Sequence, residues 1–229
     1  MNEEKILWTG RQNMKAALMS ALINFFLLVA AVWLLANKNN LAKTWENYKN
    51  GVDTEINELN RANTCDYRVI EELAVCDGDA RVDVAVANDR LCGYEIKSDA
   101  DTLKRLALQQ KCYDKTFDAI SIVVGEKFKD DIEEYIPDYW GVYVVCKDDS
   151  GCKIKMRRAA KENKNVEAES LLELLWKEEL IKFLKDAGVK GISGKNRRLL
   201  RQMAIDNFTL KEIKNYTREV LKGRQDWRD

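Results

Sequence analysis

Residues Ala16 to Ala36 read AALMSALINFFLLVAAVWLLA, an uncharged run interrupted only by the polar Ser20 and Asn24. At 1.5 Å per residue a helix of this length reaches roughly 30 Å, the thickness of a bilayer's hydrocarbon layer. Lys15 closes one end and Lys38 the other. The apolar side chains surround the helix instead of forming a stripe, which disfavours a core helix in a small domain. No small-x-small site follows cleanly, which disfavours a cleaved leader. Residues 16–36 are therefore expected to form a single transmembrane helix within an N-terminal segment 1–40. In a chain of 229 residues, that leaves room for one domain of ordinary size with appendages, or for two small ones.

Charge does not orient the span, because Lys5, Arg11 and Lys15 before it balance Lys38, Lys43 and Lys49 after it. The cysteines give a direction. They fall at 65, 76, 92, 112, 146 and 152 with no C-x-x-C pair, a pattern of free thiols in a reducing compartment and not of a disulfide framework or a zinc site. The C-terminal part is accordingly expected in the cytoplasm, beyond a helical linker over 41–64. The chain contains no histidine, which removes Ser-His-Asp and Cys-His catalysis and leaves carboxylates, lysines, thiols and tyrosines. Its net charge of zero conceals an asymmetry: residues 153–229 carry 20 Lys plus Arg against 12 Asp plus Glu. Such a basic stretch suits a polyanion or a solvated helical face.

From Asp66 onward the pattern is α/β. The spacing predicts a short helix over Tyr67–Ala74, stopped near Asp77-Gly78. A period-two strand follows at Val82, Val84 and Val86, then a second strand over Leu91–Ser98. A helix is expected from Asp99 to Thr116, opened by a Ser98-x-x-Asp101 capping box. Ala119–Val124 has the apolar continuity of a buried, parallel strand. Lys127–Tyr135 reads as a short helix ended by Pro137, and Val142–Cys146 as a further strand. Beyond Cys152 strands are expected to cease. Val166–Ala187 reads as one helix ending at Gly188, and Thr209-x-x-Glu212 opens a last helix closed by Gly223.

Strand parity sets the chemistry. Glu95 and Lys97 are two apart and share a face. If Asn88-Asp89-Arg90 is a three-residue hairpin loop, Ala87 pairs with Leu91 and Asp83 stands opposite Glu95. Two carboxylates roughly 5 Å apart repel unless a proton or cation lies between them. A hard divalent cation resolves that conflict, with the Ile96 carbonyl as a further ligand and Lys97 beside it.

The arrangement resembles the PD-(D/E)XK nuclease superfamily in its RecB-like branch. The residues that carry the likeness are the helix expected to bear Glu71-Glu72, the Asp83 strand, Tyr94-Glu95-Ile96-Lys97, and Gln109-x-x-x-Tyr113. GYEIKSDADTLKRL over 93–106 and IPDYWG over 136–141 also look like a small bacterial and phage family of that superfamily. Val82 departs from the superfamily's nominal proline. The resemblance implies Asp83, Glu95 and Glu72 as metal ligands, Lys97 as the catalytic lysine, and Gln109 and Tyr113 as helix-borne site residues. The implied cofactor is Mg²⁺, with Mn²⁺ as the alternative. The fold expected is a restriction-endonuclease-like mixed sheet flanked by helices over 65–158, with a basic helical region over 159–229. The function expected is a membrane-tethered Mg²⁺-dependent nuclease acting on DNA, with Lys195, Arg197, Arg198 and Arg201 gripping backbone phosphates. The alternative is a catalytically inactive nuclease-fold protein that binds DNA or regulates.

Overall fold

A computed structural model describes residues 67–97, 99, 101–148 and 151–225. Packing divides the chain into two units, one within Asn63–Val144 and Lys155–Asp229, the other within Met1–Ala62 and Val145–Ile154. Every candidate site residue belongs to the first.

Six strands form one sheet in chain order: β1 (Arg68–Val75), β2 (Ala80–Ala87), β3 (Leu91–Lys97), β4 (Ala119–Val124), β5 (Gly141–Asp148) and β6 (Gly151–Arg158). The first three pair antiparallel, while β4 is parallel to both β3 and β5. β4 (AISIVV) is buried at every position, as a strand covered on both faces must be. The β2–β3 hairpin has the three-residue loop on which the expected pairing was conditioned. Ala87 pairs with Leu91, and the Asn88 side chain accepts from the Arg90 amide at 2.8 Å.

Helix α1 (Leu106–Thr116) turns Leu106, Gln109, Cys112, Tyr113 and Thr116 inward. It lies close to the sheet because Gly93 leaves room: a Cβ there would sit 2.8 Å from the Phe117 ring just beyond the helix. Tyr113 and Phe117 then meet edge to face, with centroids 5.8 Å apart.

Several local expectations are corrected. Tyr67–Ala74 is not helical; Arg68–Val75 is strand β1. The burial of Ile70 and Leu73, three apart, imitated a helix, but Glu72 adopts φ 52° and shifts the inward positions to Leu73 and Val75. Helix α1 begins at Leu106, not Asp99, because the loop after β4 engages the segment before it. Lys127 N donates to Asp99 Oδ1 at 3.0 Å, and Lys127 Nζ to the Asp101 carbonyl at 2.8 Å. Lys127–Tyr135 holds two single 3₁₀ turns, Glu126–Phe128 and Ile132–Glu134. Strands do not cease at Cys152: β6 spans Gly151–Arg158.

The helix expected over Val166–Ala187 is two, α2 (Ala168–Glu173) and α3 (Lys177–Asp186). Carbonyls freed at the break find side-chain donors. Arg197 Nη2 donates to the carbonyls of Glu173 and Leu175 at 3.0 and 3.2 Å, and Arg224 Nη2 to that of Leu174 at 2.9 Å. Gly188, at φ 74°, ends α3 with its amide donating to the Lys185 carbonyl. Asn196 caps α4 (Arg197–Asn207) by accepting from Leu199 N at 2.9 Å. Thr209 and Glu212 form the expected reciprocal box at the start of α5 (Leu210–Gly223).

The fold class is thus a mixed α/β sheet with helices, and the transmembrane part of the expectation is corrected. Among the described residues no helix is long and apolar enough to cross a membrane. The run 16–36 and the linker 41–64, on which the single-pass placement rested, lie outside the described residues.

Candidate active site

The β2–β3 register runs Ala87↔Leu91 to Val84↔Tyr94. Continuing it by one pair sets Asp83 beside Glu95, whereas Glu72, at φ 52°, is left out of the β1–β2 pairing. Paired residues share a face, so two acids lie side by side on the side of the sheet that α1 covers.

Glu95 is the centre of the cluster and only 1 % exposed. Lys97 Nζ donates to its Oε1 at 2.5 Å and Gln109 Nε2 to the same oxygen at 2.6 Å. Tyr113 OH donates to Oε2 at 2.6 Å and also lies 2.7 Å from the Arg81 carbonyl, with one phenolic proton to serve both. Lys97 Nζ reaches Gln109 Oε1 at 3.1 Å. The i, i+4 spacing of Gln109 and Tyr113 is what lets one helix deliver both groups to one carboxylate. Burial, reinforced by the Glu95 charge, pushes the Tyr113 phenol well above its ordinary range, so it acts as a donor.

Asp83 is partly buried beside this cluster, and its Oδ2 accepts from the Ile96 amide at 2.6 Å. Burial first, and the Glu95 charge second, raise its carboxyl to about 7; the Ile96 amide and the Lys97 ammonium oppose that rise. The acid therefore holds more protons folded than unfolded between about pH 4 and 7. Its contribution to stability is fully present below pH 4 and is lost as pH rises through 7. Asp83→Asn in chelator-containing buffer should flatten this slope and gain about 2–4 kcal/mol at pH 8 relative to the unsubstituted chain. Urea midpoints measured from pH 5 to 8 check it; parallel curves for the two proteins would refute it.

Glu72 stands apart. It is exposed on β1, not on a helix, and its carboxylate is 3.9 Å from Arg81 Nε. Its positive φ is a strained conformation for a non-glycine residue. Among the described residues no group of three or more Cys, Asp and Glu side chains is placed to hold a metal ion. The donors that fit a hard cation are the Asp83 and Glu95 carboxylates with the Ile96 carbonyl, an oxygen set that suits Mg²⁺ with water completing the shell. Two acids held side by side, one partly buried and one fully, are the arrangement a cation relieves.

The proposed phosphate-gripping residues do not form one surface. Arg201 is buried, its guanidinium pairing with Asp77 at 2.8 and 2.5 Å and facing Glu169 and Glu173. Arg197 braces the α2–α3 break. Arg198 is exposed and Lys195 partly so. Sequence reading missed the bracing role of Arg197 and Arg201; their partners, the Glu173 and Leu175 carbonyls for Arg197 and the Asp77 carboxylate for Arg201, are distant in sequence and left no local signal.

Comparison with known proteins decides the family. The family described as "Bacteriophage P4 protein cII" matches residues 40–228. The chain belongs to that family. "Protein cII" of Enterobacteria phage P4 is 28 % identical over 159 residues, which span 69 % of this chain and 60 % of that relative's length. No solved structure matches. Membership of the P4 cII family replaces the expected assignment to the PD-(D/E)XK nucleases and to the restriction-endonuclease-like fold, and with it the expected function of a membrane-tethered nuclease.

Proposed function

We propose that this P4 cII family member is a divalent-cation-dependent enzyme that hydrolyses a phosphate ester at the Asp83–Glu95–Lys97 cluster. The observation that carries the reading is the convergence on Glu95 of Lys97, Gln109 and Tyr113, with Asp83 alongside on the neighbouring strand. A structural ion pair needs neither the second acid nor two further donors. Asp83, Glu95 and the Ile96 carbonyl would hold Mg²⁺ or Mn²⁺, which supplies charge neutralisation at a phosphoryl oxygen when bound.

The chain's own residues do the rest. Gln109 and Tyr113 orient the Glu95 carboxylate, and Lys97 places a positive charge where a phosphate would gather negative charge. Burial of Lys97 strengthens that interaction relative to water.

The test is turnover of bis(p-nitrophenyl) phosphate and of p-nitrophenyl phosphate with Mg²⁺ or Mn²⁺, against chelator and against Asp83→Asn. Cation-dependent turnover lost in that variant supports the enzyme; its absence from both substrates overturns it. The engagement of both Glu95 oxygens by three donors favours a second reading, a site that binds a cation without turnover. A cation-dependent rise in melting temperature with neither substrate consumed would identify it.

A further inference from the structure

Strands β2 and β3 pair only from Ala87↔Leu91 to Val84↔Tyr94, although β2 begins at Ala80 and β3 runs on to Lys97. Beyond that point each strand keeps its other neighbour. β2 stays on β1 as far as Val75↔Ala80, and β3 on β4 as far as Lys97↔Val124. The sheet therefore opens a gap between Ala80–Asp83 and Glu95–Lys97, and backbone groups released there are met by side chains. The Ile96 amide donates to Asp83 Oδ2 at 2.6 Å, and the Arg81 carbonyl lies 2.7 Å from the Tyr113 hydroxyl. Arg81, two residues from Asp83, stands on the same face of β2, as Lys97 stands on the Glu95 face of β3. We infer that Arg81 is a phosphate-binding residue, seating the substrate's phosphate in this gap opposite Lys97. The inference rests on the hydrolytic reading for the substrate's chemistry and adds a residue which that reading does not use.

The Arg81 guanidinium is held and yet available. Its Nη1 donates to the Glu72 carbonyl at 3.1 Å, and its Nε stands 3.9 Å from the Glu72 carboxylate. Glu72 adopts φ 52° there, a strained conformation that persists only where surrounding contacts impose it. Both side chains are well exposed, at 59 % and 62 %, so this long ion pair is weak and offers a phosphate little competition. A guanidinium carries five N–H donors in a planar fork. Among the described residues one of them is taken, and the Nη2 side of the fork remains for phosphate oxygens. Lys97 has no such freedom, being buried and already donating to Glu95 and Gln109. Arg81 thus supplies binding, while Lys97 supplies a fixed charge. Tyr113 meets only the main chain of Arg81, so replacing the side chain leaves the Tyr113–Glu95 bond in place.

Inorganic phosphate is titrated calorimetrically into the full chain with Mg²⁺, alongside kinetics on the two nitrophenyl esters. Arg81→Gln should weaken phosphate binding about 10–100-fold, the loss of a charge-assisted hydrogen bond. KM should rise by a similar factor while kcat changes by less than about threefold. Arg81→Lys keeps the charge without the fork and should fall between the two. Lys182→Gln, at an exposed position on α3, should bind phosphate as the unsubstituted chain does. The melting temperature of Arg81→Gln should stay within about 2 °C of the original. A larger fall in melting temperature with phosphate affinity unchanged would make Arg81 a structural residue and overturn the inference. Absence of phosphate binding by the unsubstituted chain would overturn it as well. Phosphate bound through Arg81 with neither ester hydrolysed would sink the hydrolytic reading and leave this inference standing.

Discussion

Lys97→Met is expected to lose the proposed turnover by about 10²–10⁴-fold and to destabilise the fold by about 3–5 kcal/mol. The reason is the site's charge balance. The ammonium lies 2.5 Å from Glu95 Oε1, and the carboxylate it neutralises is 1 % exposed. Removing it leaves a buried anion held only by Gln109 and Tyr113, which cannot supply a full positive charge. Glu95→Gln/Lys97→Met, which removes both charges, should recover about 1–3 kcal/mol of that loss without recovering turnover. Urea unfolding of the three proteins and phosphodiester assays separate the two effects. A single variant that costs under about 1 kcal/mol would show that Lys97 does not offset the buried Glu95 carboxylate.

Arg201→Ala carries the other large effect and bears on the C-terminal helices. Its guanidinium, 6 % exposed, ties the β1–β2 turn to α2 and α4 through Asp77, Glu169 and Glu173. Without it three acids face one another. Asp77 and Glu169 are half-exposed and regain water, so the expected cost is about 2–3 kcal/mol, below that of a fully buried pair. The Asp77 carboxyl, now held below its ordinary range chiefly by the Arg201 hydrogen bonds, returns toward it. Arg198→Ala, on the exposed side of the same helix, should change stability by no more than about 0.5 kcal/mol. Equal midpoint shifts for the two variants would contradict this division between a bracing and a surface arginine.

What was legible in the sequence had short range. Alternation placed β2, and strand parity, given a three-residue loop at Asn88–Arg90, put Asp83 beside Glu95. An i, i+4 spacing put Gln109 and Tyr113 on one side of a helix. These are consequences of backbone period, and a period is written in consecutive residues. The capping box at Thr209 and Glu212 was readable for the same reason.

The misreadings share the opposite property. β1 imitates a helix because one left-handed residue, Glu72, offsets its pattern. α1 starts late because Lys127, contributed by the β4 connection, binds the Asp99–Asp101 segment. The α2–α3 break exists because Arg197 and Arg224 satisfy its carbonyls from distant helices, and Arg201 is a brace because Asp77 lies 124 residues away. The family was equally out of reach of motif reasoning, since the short motifs between Glu71 and Gly141 that resemble the nuclease superfamily occupy a chain whose residues 40–228 match the P4 cII family.

The sequence by itself determined which residues stand in which row and on which face, because strand and helix periods are local. The tertiary structure alone decided which of those charged residues are withdrawn from water and which remain available. That depends on what packs above them, and neutralisation of a buried charge is settled by partners the chain brings together only when it folds.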